Sequence, residues 1–78
     1  MAVWGVRVEQ RDDAYRVDVV EDGAYRTGVK LRADAGSMDA VMAVRMLRAR
    51  VIGRLGDEAP EFFAANDDAR PFVEMLNA

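Results

Sequence analysis

Residues 4–32 constrain this chain more than any other part of it, because three stretches there alternate side chain by side chain. In the first, Trp4, Val6 and Val8 alternate with Gly5, Arg7 and Glu9. In the second, Tyr15, Val17 and Val19 alternate with Arg16, Asp18 and Val20. In the third, Tyr25, Thr27, Val29 and Leu31 alternate with Arg26, Gly28, Lys30 and Arg32. Period two, with β-branched and aromatic residues on one side, is the pattern of antiparallel strands with one face on a core and one in water. The breaks carry turn chemistry. Asp22-Gly23 predicts a tight hairpin, glycine supplying the positive φ, and Arg11-Asp12-Asp13 predicts a polar turn.

A sheet with one apolar face needs a cover, and the next segment predicts it. Ser37 is a good N-cap, with Asp39 in the first turn, for a helix from Met38 to about Leu55 that stops near Gly56. Ala40, Val44, Leu47, Val51 and Leu55 form one apolar stripe, widened by Val41 and Ile52. Met38, Met42 and Met46 form a second stripe on the side away from Leu47. Asp39, Arg50 and Arg54 share the polar face. Arg45 and Arg48 sit among apolar neighbours, where they snorkel or pair with acids. A helix lying on a sheet needs only one stripe, so the methionines call for a second cover.

The C-terminal segment is the local candidate. Pro60 suits the first turn of a short helix, "PEFFAA". Asp68 can cap another, in which Phe72, Met75 and Leu76 fall at i, i+3 and i+4. The expected fold is a single α+β domain over residues 1–78. A three-stranded antiparallel sheet packs on one long helix, followed by one or two short helices. Phe62 or Phe63, with Phe72 and Leu76, is expected on the methionine stripe. The other arrangement has the stripe meeting a second chain, since methionine-rich surfaces adapt to partners.

Chemistry is limited by what the 78 residues lack. There is no histidine and no cysteine, which removes the commonest metal ligands, the usual general base and the thiol nucleophile. "NDDA" and "RDDA" lack the spaced oxygens and central glycine of a calcium loop, and neither a Walker loop nor G-x-S-x-G occurs. Glu9 and Asp18 would share a sheet face with Arg7 and Arg16, so a cross-strand charge lattice is expected there rather than a catalytic acid pair. The expectation is a non-enzymatic protein with no cofactor and no metal. The N-terminus has no apolar stretch after a basic start, and no apolar run approaches about 18 residues. A cytoplasmic location is therefore expected.

Charge directs the functional reading. The net charge is −3. Residues 1–56 carry ten basic and eight acidic side chains, whereas residues 57–78 carry one basic residue, Arg70, and six acidic ones. Asp57, Glu58, Glu61, Asp67, Asp68 and Glu74 are thus the candidate partner-binding residues. They suit a protein with a basic surface, because arginines pair with carboxylates much as with phosphates. The alternative is DNA binding through the outer sheet face, with Arg7, Arg16, Arg26, Lys30 and Arg32 as contacts. An acidic chain gains little from counterion release.

Two resemblances bear on these readings. The segments "GVRV" and "AYRVDVVEDGAYR", with the helix that follows, resemble the arm-binding domains of phage-type tyrosine recombinases over residues 5–50. That resemblance implies a sheet face that enters a DNA groove. In size, acidity and lack of catalytic residues the chain is similar in kind to small phage inhibitors such as anti-CRISPR proteins. That likeness rests on no shared motif. It implies binding to a CRISPR effector subunit in the host cytoplasm where nucleic acid would otherwise bind, by a monomer or a homodimer.

Overall fold

The computed structural model describes residues 2–55 and 60–78. Strand β1 runs over Trp4–Arg11, β2 over Ala14–Glu21 and β3 over Ala24–Arg32. Helix α1 spans Ser37–Leu55, strand β4 Phe62–Ala64 and helix α2 Arg70–Asn77, with a single 3-10 turn over Asp67–Ala69 before α2. The architecture is α+β, but the sheet is mixed and four-stranded, in the order β3-β2-β1-β4. The fourth strand pairs with β1 in parallel.

Both hairpins form as their turn residues dictate. Asp22 and Gly23 take φ of 51° and 85°, the two positive values that a two-residue turn with the right strand twist requires. Asp12 takes 53°, a conformation that aspartate tolerates better than most residues. Val6 faces Val19 and Val8 faces Val17 across β1 and β2, which puts the apolar sets of both strands on one side. One position departs from strict alternation. The β2–β3 register shifts between Val19 and Val20, so Tyr25 pairs with Val20. A bulge of this kind moves the following side chain to the opposite face, and Tyr25 leaves the inner face expected for it.

The segment "PEFFAA" is a strand rather than a helix. Consecutive phenylalanines in a helix would point about 100° apart, whereas in a strand they point to opposite faces. Phe62 is 2% exposed and enters the core, while Phe63 is 52% exposed on the other side. The unpaired edge of β1 favours that choice, since an open edge leaves backbone groups unsatisfied. Trp4, Gly5 and Val6 accept Phe62, Phe63 and Ala64 as partners, and the Ala65 N–H donates to the Val6 carbonyl at 2.8 Å.

Two asparagine side chains extend this pairing. Asn66 accepts from the Val8 N–H at 3.2 Å and donates to the Val8 carbonyl at 2.8 Å, continuing the ladder along β1 past the end of β4. Asn77, at the end of α2, accepts from the Phe62 N–H and donates to the Phe62 carbonyl, both at 2.9 Å. A primary amide presents one donor and one acceptor side by side, as a strand backbone does.

Both helices lie on the inner face. The core joins Trp4, Val6, Val8, Val17 and Val19 of the sheet to Val44, Leu47 and Val51 of α1. Phe62, Ala69, Phe72 and Leu76 complete it, and the Phe72 ring meets Tyr15 with centroids 6.2 Å apart. Phe72 and Leu76 therefore pack on the sheet and the Leu47 side of α1, not on the methionine stripe. The reason is geometric, because β4 ties the C-terminal segment beside β1 and α2 returns from there over the inner face. Leu55 and Arg54, expected on the apolar stripe and the polar face, lie outside the described side chains.

Helix ends differ from expectation by small steps. The Ala40 N–H donates to the Gly36 carbonyl at 3.2 Å, so α1 opens one residue ahead of the position expected from Ser37. At α2 the N-cap is Ala69, without a side-chain cap, and Pro71 sits in the first turn, where its missing N–H costs nothing. Asp68 instead belongs to the 3-10 turn. Among the described residues, no helix is long and apolar enough to cross a membrane.

Candidate protein-binding surface

With both helices on the inner face, no element among the described residues covers the outer face of the sheet. One row crosses all four strands there: Phe63 of β4 faces Gly5 of β1, Gly5 faces Val20 of β2, and Val20 faces Tyr25 of β3. Cross-strand partners share a face. Gly5 and Val20 are buried at the centre of the row, while Phe63 and Tyr25 are exposed at its ends. A side chain at Gly5 would meet Val20 Cγ2 at 3.1 Å, so the centre of the row is closely packed and has no room for one.

Beyond the row lies the charge lattice. Arg7 faces Asp18 and Glu9 faces Arg16, and Arg16 faces Lys30. Asp18 is only 4% exposed. It is held by Arg16 at 3.3 Å and Arg7 at 4.0 Å, and Arg7 also approaches Glu9 at 3.4 Å. Gly28 sits across from Asp18, and a Cβ there would collide with the carboxylate. The glycine makes room for a buried acid, which the two arginines compensate.

These contacts account for most of the cations in the DNA-binding alternative. Arg26 holds Glu21 at 2.8 Å and Arg32 holds Asp34 at 3.2 Å. Among the described residues, Lys30 alone of the five has no acidic partner within salt-bridge distance. Arginines on α1 are also engaged. Arg50 donates to Thr27 Oγ1 at 3.1 Å and to the Gly28 carbonyl at 3.2 Å, on the outermost strand. Arg48 donates to the Ala78 backbone oxygen at 3.1 Å.

The carboxylates of the C-terminal segment have a different setting. Glu61, Asp67, Asp68 and Glu74 are all exposed. Asp67 pairs with Arg70 at 3.2 Å, yet its side chain remains 91% exposed, so the pair is screened by water. The four do not form one tight cluster. Glu61 lines a depression with Leu76 and Asn77 at the C-terminal end of α2, whereas Asp67 and Asp68 precede its N-terminus. An eight-residue helix separates those ends by about 12 Å. Asp57 and Glu58 lie outside the described residues. Among the described residues, no group of three or more acidic side chains is arranged to hold a metal.

The methionine stripe has no cover within the described residues. Met38, Met42 and Met46 are 74%, 55% and 47% exposed. Sequence reasoning missed Tyr25 on the outer face, because a bulge leaves no periodic signal. It also missed Asn66 and Asn77, whose only trace is an amide residue shortly after β4 and another at the last position of α2. No family model matches the chain, and neither a curated protein nor a solved structure is significantly similar to it.

Proposed function

We propose that the chain is a non-enzymatic protein-binding inhibitor or adaptor. Its acidic C-terminal segment occupies a basic surface on a partner that otherwise receives nucleic acid, and an inhibitor of the anti-CRISPR kind is the specific form of this reading. The observation that carries it is Phe63. This ring is half exposed on a sheet face that no element among the described residues covers, in a segment whose carboxylates Glu61, Asp67 and Asp68 also face water. An aromatic anchor with acidic neighbours is the composition of an interface hot spot against a basic groove. Asp57, Glu58 and Glu74 extend the acidic contact. The cations of the alternative reading count against it, since Arg7, Arg16 and Arg26 are matched by acids of the same sheet and Arg32 by Asp34 just after it.

The test uses DNA binding in two settings. The protein alone is titrated into double-stranded DNA at about 50 mM and 200 mM salt, where phosphate contacts give a steep salt dependence. It is then added to purified CRISPR effector complexes bound to their target DNA. The expected result is no shift by the protein alone, and displacement of DNA from an effector by the wild type but not by Asp67→Lys/Asp68→Lys. A salt-sensitive shift by the protein alone, lost in Arg16→Glu, would replace this reading with the sheet-face one. Displacement that is undiminished in the folded double variant would remove the acidic segment from it.

A further inference from the structure

Helices α1 and α2 leave a cleft between them. It measures about 310 Å³ and is lined by Val41, Val44, Arg45 and Arg48 of α1, by Met75 of α2 and by Ala78. Val44 belongs to the core and Met75 packs against it, while Val41 remains 36% exposed. Arg45 and Arg48 are three positions apart on α1, so they leave the same side of the helix with Cβ atoms about 5–6 Å apart. No aspartate or glutamate lines the cleft. Among the described residues none lies within salt-bridge distance of either arginine, whereas Arg7, Arg16, Arg26, Arg32 and Arg70 each hold an acid. Glu61 meets Arg48 only across a separate depression. Arg48 gives one N–H to the Ala78 backbone oxygen, and a guanidinium carries five.

Apolar walls beside two guanidinium groups that no acid neutralises complement one kind of small molecule, an apolar tail with an anionic head. Ligand sites combine mostly apolar lining with a few polar groups that fix orientation, in volumes of about 300–1,000 Å³. This cleft lies at the small end of that range, which limits the tail to a short chain. We infer that the cleft binds a short-chain carboxylate amphiphile, its head at Arg45 and Arg48 and its tail over Val41 and Met75. The carboxylate accepts charge-assisted hydrogen bonds from both guanidinium groups. The tail takes the exposed surface of Val41 and Met75 out of water. Neither part suffices alone, because the head without a tail stays better solvated in water, and the tail without a head leaves the arginines unmatched.

Octanoate is the probe, with octanol carrying the tail without the charge and acetate the head without the tail. Titration calorimetry is expected to give saturable octanoate binding with a Kd of about 0.1–1 mM, a scale suited to about ten non-hydrogen atoms. Octanol and acetate are expected to bind at least about tenfold more weakly. Arg45→Gln is expected to weaken octanoate by about tenfold, the worth of one charge-assisted hydrogen bond, and to leave octanol unchanged. Val41→Glu sets a carboxylate in the cleft and is expected to abolish octanoate binding while the circular dichroism spectrum stays that of the wild type. Nuclear magnetic resonance of methyl-labelled methionine locates the ligand, and the Met75 methyl is expected to shift more than those of Met38, Met42 and Met46. No saturable binding below about 10 mM would overturn the proposal. So would octanol binding as tightly as octanoate, an unaltered Kd in Arg45→Gln, or shifts at Met42 and Met46 without one at Met75. Binding to phosphatidylglycerol vesicles but not to free octanoate would overturn it in favour of an anionic membrane surface. Phe63, Asp67 and Asp68 do not line the cleft, so its failure is separable from failure of the acidic-segment reading.

Discussion

Asn77 and Phe62 satisfy each other's hydrogen bonding: one side-chain amide takes both backbone groups of the residue that anchors β4 in the core. The helix that packs over the strand thereby also finishes its edge. Asn77→Leu removes the donor and the acceptor together and strands two partly buried backbone groups. Leaving such a group unsatisfied costs about 1–3 kcal/mol, so a loss in that range is expected in urea denaturation. An unchanged midpoint would mean that water replaces the amide.

Asp18 and Gly28 are expected to behave as a coupled pair. Gly28→Ala drives a methyl into the Asp18 carboxylate and is expected to cost about 1–3 kcal/mol, the usual penalty for overpacking. In an Asp18→Ala background the same substitution has room, and its cost is expected to fall well below that value. The double-mutant cycle measures the difference. Equal costs in both backgrounds would sink the explanation of why position 28 carries no side chain.

The two adjacent phenylalanines are expected to separate stability from recognition. Phe62→Ala empties a core site and is expected to cost about 3–5 kcal/mol in unfolding free energy. Phe63→Ala is expected to stay within about 0.5 kcal/mol, as exposed substitutions do. Under the proposed function it weakens partner binding by about 2 kcal/mol or more, the range of an interface hot spot. Calorimetry of unfolding and titration against the partner read the two effects independently.

Gly23 tests the second hairpin. Its φ of 85° is one that a side chain resists by roughly 1–2 kcal/mol, and the position is otherwise open. Gly23→Ala is therefore expected to lower stability by about that much without altering the core, as seen in thermal unfolding with unchanged near-ultraviolet circular dichroism.

What was legible beforehand divides by the length of the signal. The strands β1 to β3 and helix α1 extend over many residues, and their side-chain periods name the buried set nearly residue by residue. Strand β4 has three residues, too few to show a period, and its partner is nearly sixty positions away along the chain. Two phenylalanines and an alanine suit a helix as readily as a strand until the open edge of β1 is in view. Tyr25 departs from its strand's period for a related reason, since one bulge reverses the faces beyond it and nothing local announces the shift. The acidic residues were legible as a composition, but their spread around both ends of α2 is a property of the fold.

The clasp on β4 also sets an order of assembly. Strands β1 to β3 are joined by two short turns and find one another locally, whereas Val8 reaches Asn66 across 58 positions. Near contacts form before distant ones, because loop closure costs entropy that only the finished contact repays. The meander is therefore the early unit, and the strand with its two asparagines and α2 is the late one. The late unit is also expected to open first, which hydrogen exchange of the β4 amides would show. When it does, it uncovers the edge of β1 together with Trp4, Val6 and Val8, and the chain then presents a strand ready to join another molecule of its kind.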